Sequence, residues 1–516
     1  MRDPRVLRAG PVAVSLLVLL SVWAGNDLRV TGAKGCEIAA WARNVAERVG
    51  FNPGAHWLGE AVDGGSLEEP SGHYPPLPAV LHSLPLLIFG EGVPQVLLLS
   101  LIAFLVLPLW IATLERGTGL TRPTLVGAAL VLALFPPLVS AAFQPDGEIL
   151  LALLGASALA CLFQSRTPSE ALPAGLIGGA ALTVSLDAWA LFPASVLYAA
   201  ARTKGAPRAF ASWTARLLAG WLPGTAALVG FGIASRPEGN PWYAGLRILP
   251  TLETDPVLGY PRALAAPGTW SPPDHPGGTV GLFLDGLARH SEAALASAPF
   301  WCWGVLVIGV LMGRPTLRER TLLVLLTWTC VWFSRGFRFA EKTEAFLLVS
   351  VWLVLLSVET LFAVLEVLVR LSRVSPAART ALLGGVLLAT WWPGFYTIRD
   401  LRREMDPDRT TLEDLWAERI LAATGPENLI LTDTPQRLAW ITGRNTAWLP
   451  ATPALLSRVA DAGKETVVVL SGAIASAPDV DPAWWESFEA GTGAGEFTEV
   501  LLDEETYCQV WRKPEW

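Results

Sequence analysis

Two kinds of side chain in this sequence stand where they are costly to keep: carboxylates beside apolar runs, and cations bunched against the end of one. Glu37 lies in KGCEIAAWARNVAERVGF. Asp146 lies in FQPDGEILLALL, a turn of a few residues between two long apolar stretches, with Glu148 two residues on. Asp187 holds a similar, weaker place in LTVSLDAWALFP. Ionisable groups at such boundaries are expensive to desolvate and are kept for a purpose. A carboxylate there can take the proton of an attacking hydroxyl. Plainer readings stand beside this one: Asp146, after Pro145, suits the N-cap of the next helix, and Glu37 suits the wet face of a surface helix.

The cations are Arg335, Arg338 and Lys342 in SRGFRFAEK. An Arg fork matches phosphate oxygens, so these three are candidates for an anionic phosphate ligand. Lipid headgroups, or pairing with Glu341 or Glu344, are the alternatives. His73 and its neighbour Tyr74, together with Glu148, are candidates for substrate contacts. The five histidines show no ligand spacing. The Asp406/Asp408 and Asp479/Asp481 pairs lie in an acidic tail where such pairs arise by composition. No motif calls for a cofactor, and a divalent metal is left open. GTGAG at Gly491–Gly495 leads into a strand pattern and reads as a turn, not a dinucleotide loop. Cys161, Cys302 and Cys330 sit in apolar runs as small hydrophobes, Cys36 and Cys508 could share a side and pair, and there is no CxxC.

The elements that must position these groups are apolar. Of 516 residues 52% are hydrophobic and 16% charged, and mean hydropathy is +0.43, which places the chain among membrane proteins. Apolar runs cover 11–25, 94–114, 123–142, 147–164, 172–185, 187–201, 212–234, 299–313, 317–334, 343–366 and 380–396. The first follows Arg2, Arg5 and Arg8 without a convincing cleavage site and reads as an uncleaved helix. With the N-terminus inside, the inner loops collect fifteen basic residues, among them Arg116, Arg122, Arg166, Arg202, Lys204, Arg208, Arg314, Arg318, Arg320, Arg370, Arg373 and Arg379, against Asp3, Glu115, Glu170 and Glu319. That asymmetry sets the orientation. It requires Pro75–Gly90, with its four prolines, to be re-entrant or interfacial. It also puts loops 26–93 and 235–298 outside, along with everything after Tyr396. Ile38, Trp41, Val45 and Val49 have the spacing of an amphipathic helix lying on the surface.

From 397 to 516 the pattern changes to short β-type runs alternating with helical ones (NLILTD, PQRLAWITG, ETVVVLS, YCQVWRK), as in a small α/β domain. This tail holds 11 Lys+Arg and 21 Asp+Glu against 27 and 25 before it, so all the acidity behind the chain's net charge of -8 lies in the tail. An acidic exposed domain without a basic stripe excludes nucleic acid as a partner. The predicted fold class is an α-helical polytopic membrane protein with about eleven transmembrane helices (1–396) and a C-terminal extracytoplasmic α/β domain (397–516).

Taken in order, these segments resemble the membrane-embedded glycosyltransferases of the type C architecture, the group that includes the aminoarabinose transferase of lipid A and the protein mannosyltransferases. CEIAAWARNVAERVGFNP is similar to that group's first outer-loop helix, and SGHYPPLPAVLHSLPLLIFGE to its Pro-Pro-Leu segment. FPPLVSAAFQPDGEILLALL is similar to its Pro-Asp turn, and ILTDTPQRLAWITGRNTAWLP to a tail motif of bacterial members. Two positions depart from the pattern: Ser185 stands where many members carry Lys, and Arg338-Phe339 stands for an Arg-Tyr motif, without the prolines that follow it. The resemblance implies a bacterial inner-membrane enzyme that moves a sugar, with inversion, from a polyprenyl-phosphate donor to a lipid, glycan or protein acceptor outside. Glu37 is then the first candidate for the base and Asp146 the second, with Arg335, Arg338 and Lys342 facing the donor phosphate. A lipid or sugar transporter and a non-catalytic scaffold of envelope assembly are the rival readings.

Overall fold

A computed structural model describes residues 4–24, 26–30, 33–47, 55–56, 75–114, 118–203, 206–234, 278–335, 343–372, 375–405, 412–449, 453, 456, 465–471, 482–494, 497, 499–503 and 508–512. His73, Tyr74, Arg338, Lys342 and both Asp-x-Asp pairs lie outside the described residues. Helices occupy every apolar run: α1 (Pro4–Trp23), α2 (Ala33–Ala46), α3 (Leu77–Phe89), α4 (Val93–Thr113), α5 (Arg122–Ala133), α6 (Pro136–Ala142), α7 (Glu148–Gln164), α8 (Ala171–Leu182), α9 (Leu191–Thr203), α10 (Pro207–Ala234), α11 (Gly278–Ala296), α12 (Phe300–Met312), α13 (Pro315–Ser334), α14 (Leu347–Ser372) and α15 (Pro376–Glu404).

Among the described residues, α4 and Leu347–Val369 of α14 are each long and apolar enough to cross a bilayer. Two bent pairs raise this to four if each counts as one crossing: α5 with α6 at 63°, and Phe283–Ala296 with α12 at 91°. The run 123–142, expected to be one helix, is thus two. Phe135 must be extended before a proline (φ -73, ψ 116) and Pro136 restarts the chain as a helix. The α11 helix falls inside the expected outer loop 235–298, where its mixed composition concealed it. At 13 residues α3 spans ~20 Å, well short of a ~30 Å hydrocarbon core. Its Leu84, Leu87, Ile88 and Phe89 are exposed.

Helices approach closely where glycine lets them. In α8, Gly175 and Gly179 lie against Gly220 and Gly224 of α10, and a Cβ at Gly220 would meet the Leu172 carbonyl oxygen at 2.6 Å. Small-residue faces are the packing device available where lipid removes the hydrophobic drive between helices. At one end of the bundle Arg202 donates to the Ser165 carbonyl (3.1 Å) and Arg320 to the Thr118 carbonyl, which brings several of the basic loops together.

At the other end, three helices, α16 (Leu412–Ala423), α17 (Pro435–Thr442) and α18 (Pro482–Ala490), flank a six-stranded sheet. Its strands are β1 (Ala55–His56), β2 (Leu429–Thr432), β3 (Thr446–Trp448), β4 (Thr466–Ser471), β5 (Glu499–Asp503) and β6 (Cys508–Arg512), in the order β1-β3-β2-β4-β6-β5. The first four are parallel, β6 runs antiparallel to β4, and β5 runs antiparallel to β6. The alternation of period two divides two cores: Leu429, Leu431, Val468 and Leu470 pack with Trp484 and Trp511 on one face, and Ile430, Val467 and Val469 with Trp416, Ile420 and Leu438 on the other. Two features cross the expected division between 396 and 397. The α15 helix runs straight through it, and β1 comes from the first outer loop. Cys36 and Cys508 are both buried and form no disulfide with each other.

Candidate active site

The expected surface helix is not on the surface. From Cys36 to Ala42 α2 is buried on every side, and Glu37 is only 1% exposed. Its apolar stripe does form: Ile38 and Trp41 pack on Ala79 of α3, with Val45 and Phe231 beside them. Helix α17 of the tail covers another side. The spacing showed one apolar face, but the tail domain that covers the other is far away in sequence. The solvent-facing reading of Glu37 is therefore excluded.

The Pro-Asp turn lies directly under the start of α2. Gly147, left-handed at φ +81, is the N-cap of α7, and a Cβ there would stand 2.7 Å from Pro78 of α3 and 3.1 Å from Val184. A glycine is required both for the sign of φ and for this approach. The turn thus fixes α3 and the 183–187 segment around itself, and the Leu77 amide donates to the Thr183 carbonyl (3.3 Å). Asp146 precedes this N-cap rather than supplying it, and its Oδ1 accepts the Glu148 amide at 3.1 Å across the turn. Its side chain is 5% exposed. Glu148, 4% exposed, accepts from Lys34 Nζ of α2 at 2.9 Å. Its place in the first turn of α7 also suits an acid, because the helix dipole is positive there.

A second cluster adjoins the first through Val184. Ser185 caps the 3-10 turn Leu186–Ala190 by accepting the Asp187 amide, and its hydroxyl donates to Asp187 Oδ2 (3.1 Å). The same oxygen accepts from Arg335 Nη2 at 2.5 Å. Arg335 is the C-cap of α13 and only 1% exposed. It pairs with Asp187, 148 residues away in sequence, while the Glu341 and Glu344 side chains lie outside the described residues. Ser185, at the position noted as lacking Lys, is thus a hydroxyl oriented toward a carboxylate.

Of the expected site residues, the structure brings Glu37, Asp146, Glu148 and Arg335 to one end of the bundle, the end that carries the tail sheet. His73, Tyr74, Arg338 and Lys342 fall outside the described residues. Sequence reasoning missed Lys34. It ranked Asp187 low. For Lys34 the missing signal was the one applied to Arg335: a cation beside the acid-bearing segment, on the side where the charge rule disfavours it. As for metal, among the described residues no three His, Cys, Asp or Glu side chains group closely enough to hold an ion. What the cluster can do is remove a proton with a desolvated carboxylate and balance a developing negative charge with two cations.

No known family's sequence pattern matches the chain, and no curated protein does. Solved structures do. ArnT from Cupriavidus metallidurans bound to undecaprenyl phosphate superposes with a TM-score of 0.55 at 14% identity, over 98% of this chain and 97% of that one. The apo state of the same protein gives 0.56 at 13% identity with the same coverage. The apo Archaeoglobus fulgidus oligosaccharyltransferase gives 0.54 at 12% identity, over 90% of this chain and 69% of that one. Together with the buried acids and cations gathered at one end of the bundle, this likeness shows that the chain has the fold of the type C membrane glycosyltransferases along nearly its whole length.

Proposed function

We propose that this protein transfers a sugar from a polyprenyl-phosphate donor to a hydroxyl acceptor at the extracytoplasmic face of a bacterial inner membrane. One observation carries the reading. Four carboxylates (Glu37, Asp146, Glu148, Asp187) and two cations (Lys34, Arg335) meet at one end of a helical bundle, in a chain whose fold matches a protein solved with undecaprenyl phosphate. The orientation that collects fifteen basic residues inside places that end outside.

The chemistry follows from the groups present. The anomeric carbon of a sugar phosphate carries a good leaving group, so the site needs a base for the acceptor and positive charge for the phosphate. A carboxylate takes the acceptor hydroxyl proton, the oxygen bonds to the anomeric carbon, and the carbon–oxygen bond to the phosphate breaks. The electron pair leaves on the phosphate, and attack from the opposite face gives inversion. Glu37 is the base of first choice. Asp146 is the second, and its bond to the Glu148 amide suits it to hold the turn as well. Arg335, Arg338 and Lys342 are the cations assigned to the donor phosphate, and Lys34, with 20% of its side chain exposed, joins them. No step in this scheme is routed through a metal.

With expression unchanged, Glu37→Gln and Asp146→Asn are each expected to lower transfer from a polyprenyl-phosphate hexose by ~100-fold or more. Full activity in both variants would overturn the assignment. Movement of the same lipid across vesicles without sugar transfer would instead favour a transporter.

A further inference from the structure

The helix that carries Glu37 is tied to the tail domain at its far end. Arg43, six residues after Glu37 on α2, donates from Nη1 to the Trp440 carbonyl (3.0 Å) and from Nη2 to the Ala439 carbonyl (3.2 Å). Its guanidinium lies 5.2 Å from the centre of the Trp440 ring. These carbonyls belong to the last turn of α17, where the helix dipole is negative; the Ala439 carbonyl also accepts the Gly443 amide (3.1 Å). Gly443 closes α17 in the left-handed conformation (φ +67), and a Cβ there would stand 3.6 Å from Arg43 Nη2. Two further ties act independently. The Asp27 amide, before α2, donates to the Met405 carbonyl (2.9 Å), and β1, after α2, pairs with β3. The first outer loop is therefore bound to the tail before, along and after α2.

We propose that Arg43 is a positioning residue through which the docked tail domain sets the place of α2, and with it Glu37. The proposal rests on the reading of Glu37 as base given above. Glu37 and Arg43 are ~9 Å apart along the helix axis, so Arg43 touches neither reacting atom; it acts by fixing a rigid element. A fork that binds two carbonyls and stacks on an indole holds orientation as well as distance. A shift of ~1 Å at a catalytic group can cost ~100-fold in rate.

The test uses the full chain in nanodiscs, with a polyprenyl-phosphate hexose as donor. In Arg43→Ala, kcat is expected to fall between ~10- and ~100-fold while donor KM stays within about twofold, because the phosphate contacts are untouched. Amide exchange is expected to rise in 33–46 and 435–442 but not in β4. Arg43→Lys should restore kcat in part, since an ammonium reaches one carbonyl but cannot form the fork. Val468→Ala, which loosens the tail core without touching Arg43, should leave kcat unchanged. Unaltered exchange in α2, or a loosened α2 with full kcat, overturns the proposal. If the unaltered protein transfers no hexose, the functional reading is what fails, and the exchange data still decide whether Arg43 joins the two parts.

Discussion

Arg335 and Asp187 form a pair almost without access to water, 1% and 5% exposed, and such pairs respond asymmetrically to change. Removing one member leaves the other charged and desolvated, at a cost of about 3–5 kcal/mol, whereas replacing both by neutral side chains of similar size is often nearly harmless. Arg335→Ala should therefore lower thermal stability in detergent sharply, and Arg335→Met combined with Asp187→Leu should recover most of the loss. Equal losses in the single and double variants would show that the pair itself is stabilising, and that an orphaned buried charge is not the cause of the loss. The acids Glu37, Asp146 and Glu148 were visible as residues because a carboxylate beside an apolar run is costly wherever the chain goes. Their partners were not. Lys34 meets Glu148 across 114 residues and Arg335 meets Asp187 across 148, and no local spacing encodes a contact of that span.

At the scale of elements, proline and glycine gave the most reliable signals. Pro136 divides a run that looks continuous, and Gly147 permits the turn that seats the Pro-Asp segment on Pro78. In the tail, Asp433 follows β2 and joins it to the end of β4, accepting the Ser471 hydroxyl (2.5 Å) and amide (3.2 Å). Burial raises its carboxyl from 3.8 to about 6, against the lowering effect of the bonds from Ser471 and Thr432. The folded tail therefore holds a proton between pH 3.8 and 6 that the unfolded chain has released. Stability from this group is full below about pH 4 and is lost as pH rises through about 6, by roughly 2–3 kcal/mol. Unfolding of the tail should accordingly be easier at pH 7.5 than at pH 5, with a smaller difference in Asp433→Asn. An unchanged pH dependence in that variant would assign the effect to other groups. The strand runs NLILTD and ETVVVLS were legible as β2 and β4 because fully buried parallel strands are continuously apolar. The two-residue β1 was not, since its only warrant is the edge of β3 that it meets.

At the scale of the molecule, orientation is the prediction that everything else leans on. In a chain freed of its five native cysteines, Arg318→Cys should resist an impermeant thiol reagent in intact cells and Glu427→Cys should react, since both positions are exposed. Labelling of Arg318→Cys, with Glu427→Cys silent, would invert the topology and place the carboxylate cluster in the cytoplasm. The sequence alone determined that the chain is rich in apolar helices, that basic loops alternate with the rest, and that an acidic domain of mixed strands and helices ends it. These properties are sums over neighbouring residues, so a local pattern carries them. Only the tertiary structure decided that α2 is buried rather than lying on a surface, that Arg335 answers Asp187, and that the first outer loop supplies a strand to the tail sheet. Each of these rests at least in part on a contact between segments more than a hundred residues apart. The partner exists only once the helices have packed and the tail has closed over the end of the bundle.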